Sequence, residues 1–237
     1  MRFENRRADE ARPLHFTVGY CEYPAGSVLV ETGKTRVLCN ATVEERVPPY
    51  LMNTGKGWVT AEYSMLPAAT RERTRRDVQN LKLSPRSAEI QRLIGRSLRS
   101  VTDLHAIDGL TITVDCDVFQ ADGGTRTASI TGGYLALWLA CQSLQKEGRL
   151  ATNPLRAEVA AVSAGVVDGQ VLLDLDYSED SRAEADFNMI MTATGEIIEL
   201  QGTGEARPFS RNELNQMLTL GERAIADMCR IRRAYMC

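Results

Sequence analysis

The chain has 237 residues, 43% hydrophobic and 25% charged, a globular balance that excludes a disordered polyelectrolyte. No apolar run approaches the roughly 18 residues of a membrane span, and Met1-Arg2-Phe3-Glu4-Asn5-Arg6-Arg7 lacks an apolar signal-peptide core. A cytoplasmic protein with no membrane partner is therefore expected. The formal net charge of −3 hides an uneven distribution: Arg71, Arg73, Arg75, Arg76, Lys82 and Arg86 face only Glu72 and Asp77, while 174–186 is strongly acidic. A local basic loop in an acidic protein points to a polyanion contact on one face, although a solvated loop would read the same way.

In chain order, the first predicted element is a hairpin: Ser27-Val28-Leu29-Val30-Glu31, a Thr32-Gly33-Lys34 turn, and a return through Thr35 to Asn40. From Ser87, the apolar residues Ile90, Leu93, Ile94, Leu98 and Val101 recur at helical spacing, which predicts an amphipathic helix packed on a sheet. A longer helix is expected from about Thr127 to Lys146, stopped by Gly148; its interior Gly132-Gly133 weakens the pattern, since a helical glycine costs about 1 kcal/mol relative to alanine. A second hairpin is predicted over Val159–Val167, Asp168-Gly169 and Gln170–Asp176. The last helix opens on Ser210-Arg211-Asn212-Glu213, at capping-box spacing, and continues through Leu214, Leu218, Ile225 and Met228. Two hairpins about 135 residues apart, with no low-complexity linker, suggest one α+β unit of two similar halves.

Cys21, Cys39, Cys116, Cys141, Cys229 and Cys237 include no CxxC pair and no histidine at ligand spacing. They read as reduced, mostly buried thiols rather than a zinc site. His15 and His105 are the sole histidines; a structural or surface role suits each better than a histidine-pair ribonuclease mechanism.

Three stretches carry candidate chemistry. Asp115 to Thr127 reads as a strand, a glycine-rich turn (Asp122-Gly123-Gly124) and a helix start, where free N–H groups and the helix dipole favour an anion. Thr125 adds a hydroxyl and Arg126 a bidentate donor. The stretch is neither a P-loop nor a dinucleotide fingerprint, and a plain tight turn would look similar. Arg86, after Pro85, precedes another helix start. Six acidic residues between Asp174 and Asp186 sit between predicted strands and can converge on a hard cation such as Mg²⁺, or form a solvated loop; the EF-hand glycine is missing. An anion cradle, a second arginine, a carboxylate cluster and a basic loop together meet the needs of phosphoryl transfer on RNA.

At these residues the chain resembles the ribonuclease PH family of phosphate-dependent 3′ exoribonucleases. The resemblance is carried by Gly26-Ser27-Val28-Leu29-Val30, by the run Gly57 to Pro67, by Glu89-Ile90-Gln91-Arg92-Leu93-Ile94-Gly95-Arg96, by Gln120 to Gly132, by Asp176 to Asn188 and by Glu199-Leu200-Gln201-Gly202-Thr203. It implies a single ribonuclease PH domain over 1–237, with a duplicated βα fold of the ribosomal-protein-S5-domain-2-like type in a homohexameric ring, a trimer of dimers. It implies inorganic phosphate as co-substrate, bound by Arg86, Gly124, Thr125 and Arg126; catalysis and Mg²⁺ binding by Asp180 and Asp186; and RNA binding by Arg71, Arg73, Arg75 and Arg76. The implied substrates are tRNA precursors and rRNA 3′ ends, and the implied reaction releases nucleoside diphosphates reversibly. Ala68 stands where many members carry an arginine, which weakens the case for one RNA contact. An inactive RNA-binding ring subunit and a hydrolytic nuclease are the competing readings.

Overall fold

Helices on a protein surface bury one face, but the helix beginning at Thr125 is buried at every position from 127 to 137. The computed structural model, which describes residues 2, 5–77 and 82–236, explains this by placing two sheets against that helix. The first sheet comprises β1 (Leu14–Val18), β2 (Gly26–Thr32), β3 (Thr35–Glu44), β4 (Trp58–Met65) and β5 (Thr111–Gln120), in the order β1-β2-β3-β5-β4. Helix α1 (Pro85–Ser100) connects β4 to β5, which therefore run parallel, and α2 (Thr125–Lys146) follows β5. The second sheet comprises β6 (Val159–Val167), β7 (Gln170–Leu173), β8 (Ala185–Thr192) and β9 (Ile197–Gly204), in the antiparallel order β7-β6-β8-β9. Its helices are the short α3 (Tyr177–Asp180) and the long α4 (Arg211–Arg233).

Strand β6 is buried along its whole length. Because side chains alternate between faces, such a strand must be covered on both, and α2 and α4 both pack on it. One continuous core therefore runs from Leu14 in β1 to Cys229 in α4. The halves are similar rather than identical. Each has a hairpin followed by two further strands and a long closing helix, but only the first has an extra leading strand, β1, and inserts a helix between its later strands.

Both expected hairpins form, β2–β3 and β6–β7. In the second, Asp168 (φ +51°) and Gly169 (φ +74°) supply the two positive-φ residues of a tight turn. The return strand stops at Leu173 instead of Asp176 because Asp174 is left-handed (φ +53°) and leaves the ladder. Helix α1 begins at Pro85 rather than Ser87: the Ser84 hydroxyl accepts from Ser87 N at 3.1 Å, and proline is preorganised for the first helical turn. Arg86 is thus inside the helix. Helix α2 likewise starts two residues before Thr127. The capping box of Ser210 and Glu213 forms as expected. Cys39, Cys116, Cys141 and Cys229 are buried free thiols and Cys21 is partly buried; Cys237 lies outside the described residues. Among the described residues, no helix is long and apolar enough to cross a membrane.

The glycines that weaken the α2 pattern are packing requirements. A Cβ on Gly132 would lie 2.5 Å from Val30 Cγ1 and 3.0 Å from Cys39 Sγ, and one on Gly26 would lie 2.0 Å from the Ala136 carbonyl oxygen. Helix and sheet approach so closely that the propensity cost is offset by contact. On the other face of the sheet, Glu62 pairs in register with Asp115, and Asp117 follows two residues on. Partial burial, then repulsion from Glu62 and Asp117, pushes the Asp115 carboxyl up to about 6.

Two outcomes follow. Gly132→Ala should destabilise the fold by about 1–3 kcal/mol in denaturant titration, against the roughly 1 kcal/mol gain that helix propensity alone predicts. Asp115→Asn should stabilise the protein by about 1 kcal/mol at pH 8, solvent screening having reduced the penalty. Because the native carboxyl is raised, its charged form costs stability as pH rises through about 6. The gain should vanish below about pH 4, where both native and unfolded Asp115 are protonated, a trend readable from melting curves across pH.

Candidate active site

Where β5 ends, the chain must turn at once into α2, and it does so through Gly123 (φ +76°) and Gly124 (φ +64°). Gly123 is demanded twice, by its φ and by space: a Cβ there would lie 2.5 Å from the Leu175 carbonyl oxygen. Gly124 is the N-cap of α2 and brings no side-chain cap, so the leading N–H groups of the helix lack the usual side-chain partner and suit an anion. Thr125 is buried, and its hydroxyl is 2.8 Å from the Tyr63 hydroxyl of β4. Arg126 donates through one terminal nitrogen to Gln201 Oε1 (3.1 Å) and Glu89 Oε1 (3.4 Å). Arg86, exposed in the first turn of α1, faces the same space.

That space is a cavity of about 360 Å³ lined by Arg86, Gly124, Thr125 and Arg126 on one side and by Asp180, Asp186, Ser163 and Asn188 on the other. All six residues expected to bind phosphate or carry out catalysis are brought together there. Asp180 closes α3, and Asp186 is the second residue of β8. Desolvation pushes the Asp180 carboxyl up, and the nearby positive charges of Arg86, Arg126 and Arg12 only partly counter it. Asp186 is pushed up by desolvation and then by repulsion from Asp180 and Glu205. Its Oδ1 is buried and has no hydrogen-bond partner among the described residues. An orphaned carboxylate oxygen beside a second carboxylate is costly as it stands and calls for a cation or a proton. Among the described residues, no three His, Cys, Asp or Glu side chains gather as a metal cage; two carboxylates completed by water and phosphate oxygens suit Mg²⁺.

The expectation that the acidic stretch converges as a whole is corrected. Asp174 is fully buried and paired with Arg12 at 2.6 Å; burial opposes its charge, but Arg12 outweighs this and holds the carboxyl below its usual range. Asp176 and Glu179 form the capping box of α3, and Glu179 also pairs with Arg2 at 2.7 Å. Glu184 pairs with Arg207. Two of the six acids, Asp180 and Asp186, are left for the cavity. Arg71, Arg73, Arg75 and Arg76 are exposed in the loop after β4 and do not line it. His15 and His105 are exposed and also lie elsewhere. Sequence reasoning missed Tyr63, Ser163, Asn188 and Glu205. The available signal was Ser163, a polar residue in the otherwise apolar β6, with Asn188 two residues after Asp186 in β8.

The chain matches the model of the 3′ exoribonuclease family, domain 1, over residues 10–143 and domain 2 over 157–224. It is 54% identical to "Ribonuclease PH" of Bacillus subtilis (strain 168) over 229 residues, 96% of this chain and 94% of that one. It is 52% identical to "Ribonuclease PH" of Bacillus pumilus over 235 residues, 99% and 97% of the respective chains. The fold is shared with the crystal structure of rice (Oryza sativa) Rrp46, at a TM-score of 0.80, 19% identity and full coverage of both chains. It is shared also with a chain of the Archaeoglobus fulgidus exosome with RNA bound to the active site, at a TM-score of 0.79 and 19% identity over 99% of this chain and 92% of that one. An uncapped helix start, two arginines and two raised carboxylates around one cavity, with these matches along nearly the whole length, make this chain a member of the ribonuclease PH family of 3′ exoribonucleases.

Proposed function

We propose that the cavity shortens RNA from its 3′ end by phosphorolysis. Inorganic phosphate is held by the N–H groups at the start of α2, the Thr125 hydroxyl, and Arg86 and Arg126. One of its oxygens attacks the terminal phosphodiester phosphorus; the bond from that phosphorus to the 3′ oxygen of the preceding nucleotide breaks, and a nucleoside 5′-diphosphate leaves. The freed 3′ oxygen takes up the proton that the attacking hydrogenphosphate gives up, relayed by the Asp180 carboxylate, whose raised pKa suits transient proton uptake. The same steps in reverse add a nucleotide. Asp180 and Asp186 hold Mg²⁺, which when bound offsets charge on the transferring phosphoryl group. Arg71, Arg73, Arg75 and Arg76 hold the body of the RNA, a tRNA precursor or rRNA 3′ end. The reading also comprises one functional unit over 1–237, a homohexameric ring and a cytoplasmic location.

The observation that carries the reading is the union, in one cavity, of an uncapped helix start flanked by Arg86 and Arg126 with the orphaned oxygen of Asp186. A hydrolytic site needs the carboxylates but not the anion cradle. The direct test is incubation with a short-tailed RNA and Mg²⁺, with and without phosphate, and chromatography of the released nucleotides. Nucleoside diphosphates that require phosphate are expected; monophosphates released without it would sink the proposal.

Arg126→Ala should lower phosphate-dependent turnover by about 10²-fold or more with little change in melting temperature. Asp186→Asn should abolish the response to Mg²⁺ while leaving the fold as stable or more stable at neutral pH. The sign follows from the raised carboxyl, whose charged form costs native stability above its own pKa; that gain should fade as the pH falls through it. As pH falls, wild-type turnover should begin to decline before ordinary carboxylates titrate, because burial raises Asp180 and Asp186; a profile that stays flat until the ordinary carboxylate range would count against their charged role.

A further inference from the structure

We propose that Arg12 is a positioning residue for the phosphate-holding turn, acting from behind it through backbone carbonyls; this rests on the reading of the cavity as a phosphate site. Arg12 does not line the cavity, and it is 3% exposed. Its guanidinium is divided between two duties. Nε and Nη2 donate to the two carboxylate oxygens of Asp174, at 2.9 and 2.6 Å. Nη1 donates to the Asp122 carbonyl oxygen at 2.6 Å, with a longer contact of 3.5 Å to that of Gly123.

The first duty is an ordinary buried ion pair. The second is not needed for it, and it reaches the turn that carries Gly124, Thr125 and Arg126. Thr35, the first residue of β3, secures the same turn from the same side. Its hydroxyl donates to the Gly123 carbonyl oxygen at 2.7 Å and accepts from Asp122 N at 2.9 Å.

In a trans peptide the C=O and the following N–H point in opposite directions. Carbonyls of Asp122 and Gly123 that are turned back toward Arg12 and Thr35 therefore turn the N–H groups of Gly123 and Gly124 the other way, and Gly124 lines the cavity. The guanidinium also lies directly beneath the turn: a Cβ on Gly124 would be 2.9 Å from Arg12 Nη2. Two left-handed glycines have little intrinsic preference for one orientation, so the orientation is imposed by these two side chains. Lysine at position 12 would keep the charge facing Asp174, but a single ammonium cannot reproduce the planar fork that serves a carboxylate and a carbonyl together.

The test compares wild type, Arg12→Lys, Thr35→Val and Thr35→Ser. Each full-length protein is assayed for nucleoside diphosphate release over a phosphate titration at saturating RNA, and for inorganic phosphate binding by calorimetry. Arg12→Lys and Thr35→Val should raise the KM for phosphate on the order of tenfold and weaken calorimetric binding in step, with the KM for RNA unchanged. Thr35→Ser, which keeps the hydroxyl, should behave as wild type. Folded variants with wild-type phosphate KM and binding, or with a loss confined to kcat, would overturn the proposal and leave Arg12 a structural residue. Should Arg12→Lys fail to fold, Thr35→Val against Thr35→Ser decides. If wild type itself binds no phosphate, the reading of the cavity fails and the proposal with it, whereas normal wild-type binding with unaltered variants defeats only the positioning role.

Discussion

The close packing of α2 between two sheets is the constraint on which the rest depends. A helix buried continuously from 127 to 137, against β2, β3 and β5 on one side and β6 on the other, cannot slide or rotate without breaking contacts at Gly26, Gly132 and Gly133. Its N-terminus is consequently fixed to within the tolerance of a packed core. A helix end buried without capping side chains is ordinarily a defect. Here it opens on a cavity that also holds Arg86 and Arg126, so the missing cap is what leaves room for an anion. Preorganised donors of this kind cost no reorganisation when charge develops.

The carboxylates show the complementary economy of charge. Asp174, Asp176, Glu179 and Glu184 are neutralised or used as caps by partners that include Arg2, Arg12 and Arg207. Buried ion pairs contribute little net stability, because desolvation consumes most of the attraction, but an unpaired partner is strongly penalised. The network around Asp174 and Glu179 therefore fixes where α3 sits more than it strengthens the fold, and α3 carries Asp180 at its end. Asp186 is the exception, with one oxygen left orphaned. By satisfying four of these six acids and leaving two raised, the fold concentrates the strain of this acidic stretch at the cavity, as functional sites commonly do.

The sequence was most legible where the physics is local. The Asp168-Gly169 turn, the Ser210 and Glu213 capping box and the amphipathic period of α1 are each decided within a few residues, and each appears as read. The cavity residues Arg86, Gly124, Thr125, Arg126, Asp180 and Asp186 were visible as types suited to phosphate and metal, and, for the two aspartates, as a family resemblance. What stayed hidden was long-range. No spacing rule pairs Arg12 with Asp174 or Arg2 with Glu179, so an acidic run half consumed by ion pairs looked uniformly available. Strands β1 and β9 lacked a signal because much of β9 is exposed and β1 is short. The start of α2 was misplaced by two residues because Gly124 caps it through its conformation and not through a side chain.

The exposed arginines and the cavity arginines belong to different electrostatic regimes, and this divides their proposed labour. Arg71, Arg73, Arg75 and Arg76 are open to water, where attraction to a polyanion is long in reach at low salt but is screened within about 8–10 Å at physiological ionic strength. Arg126 is largely enclosed, with a side chain 19% exposed, beside raised carboxylates and an oriented helix start. Charges there act over short distances in a medium poorer in water and are screened far less. On the proposed reading, grip on the RNA body should therefore be the salt-sensitive part of the cycle, while phosphate capture and the exchange at phosphorus should depend on geometry that salt does not reach. A protein built this way can release a long, charged product by diffusion and screening without loosening the site that does the chemistry.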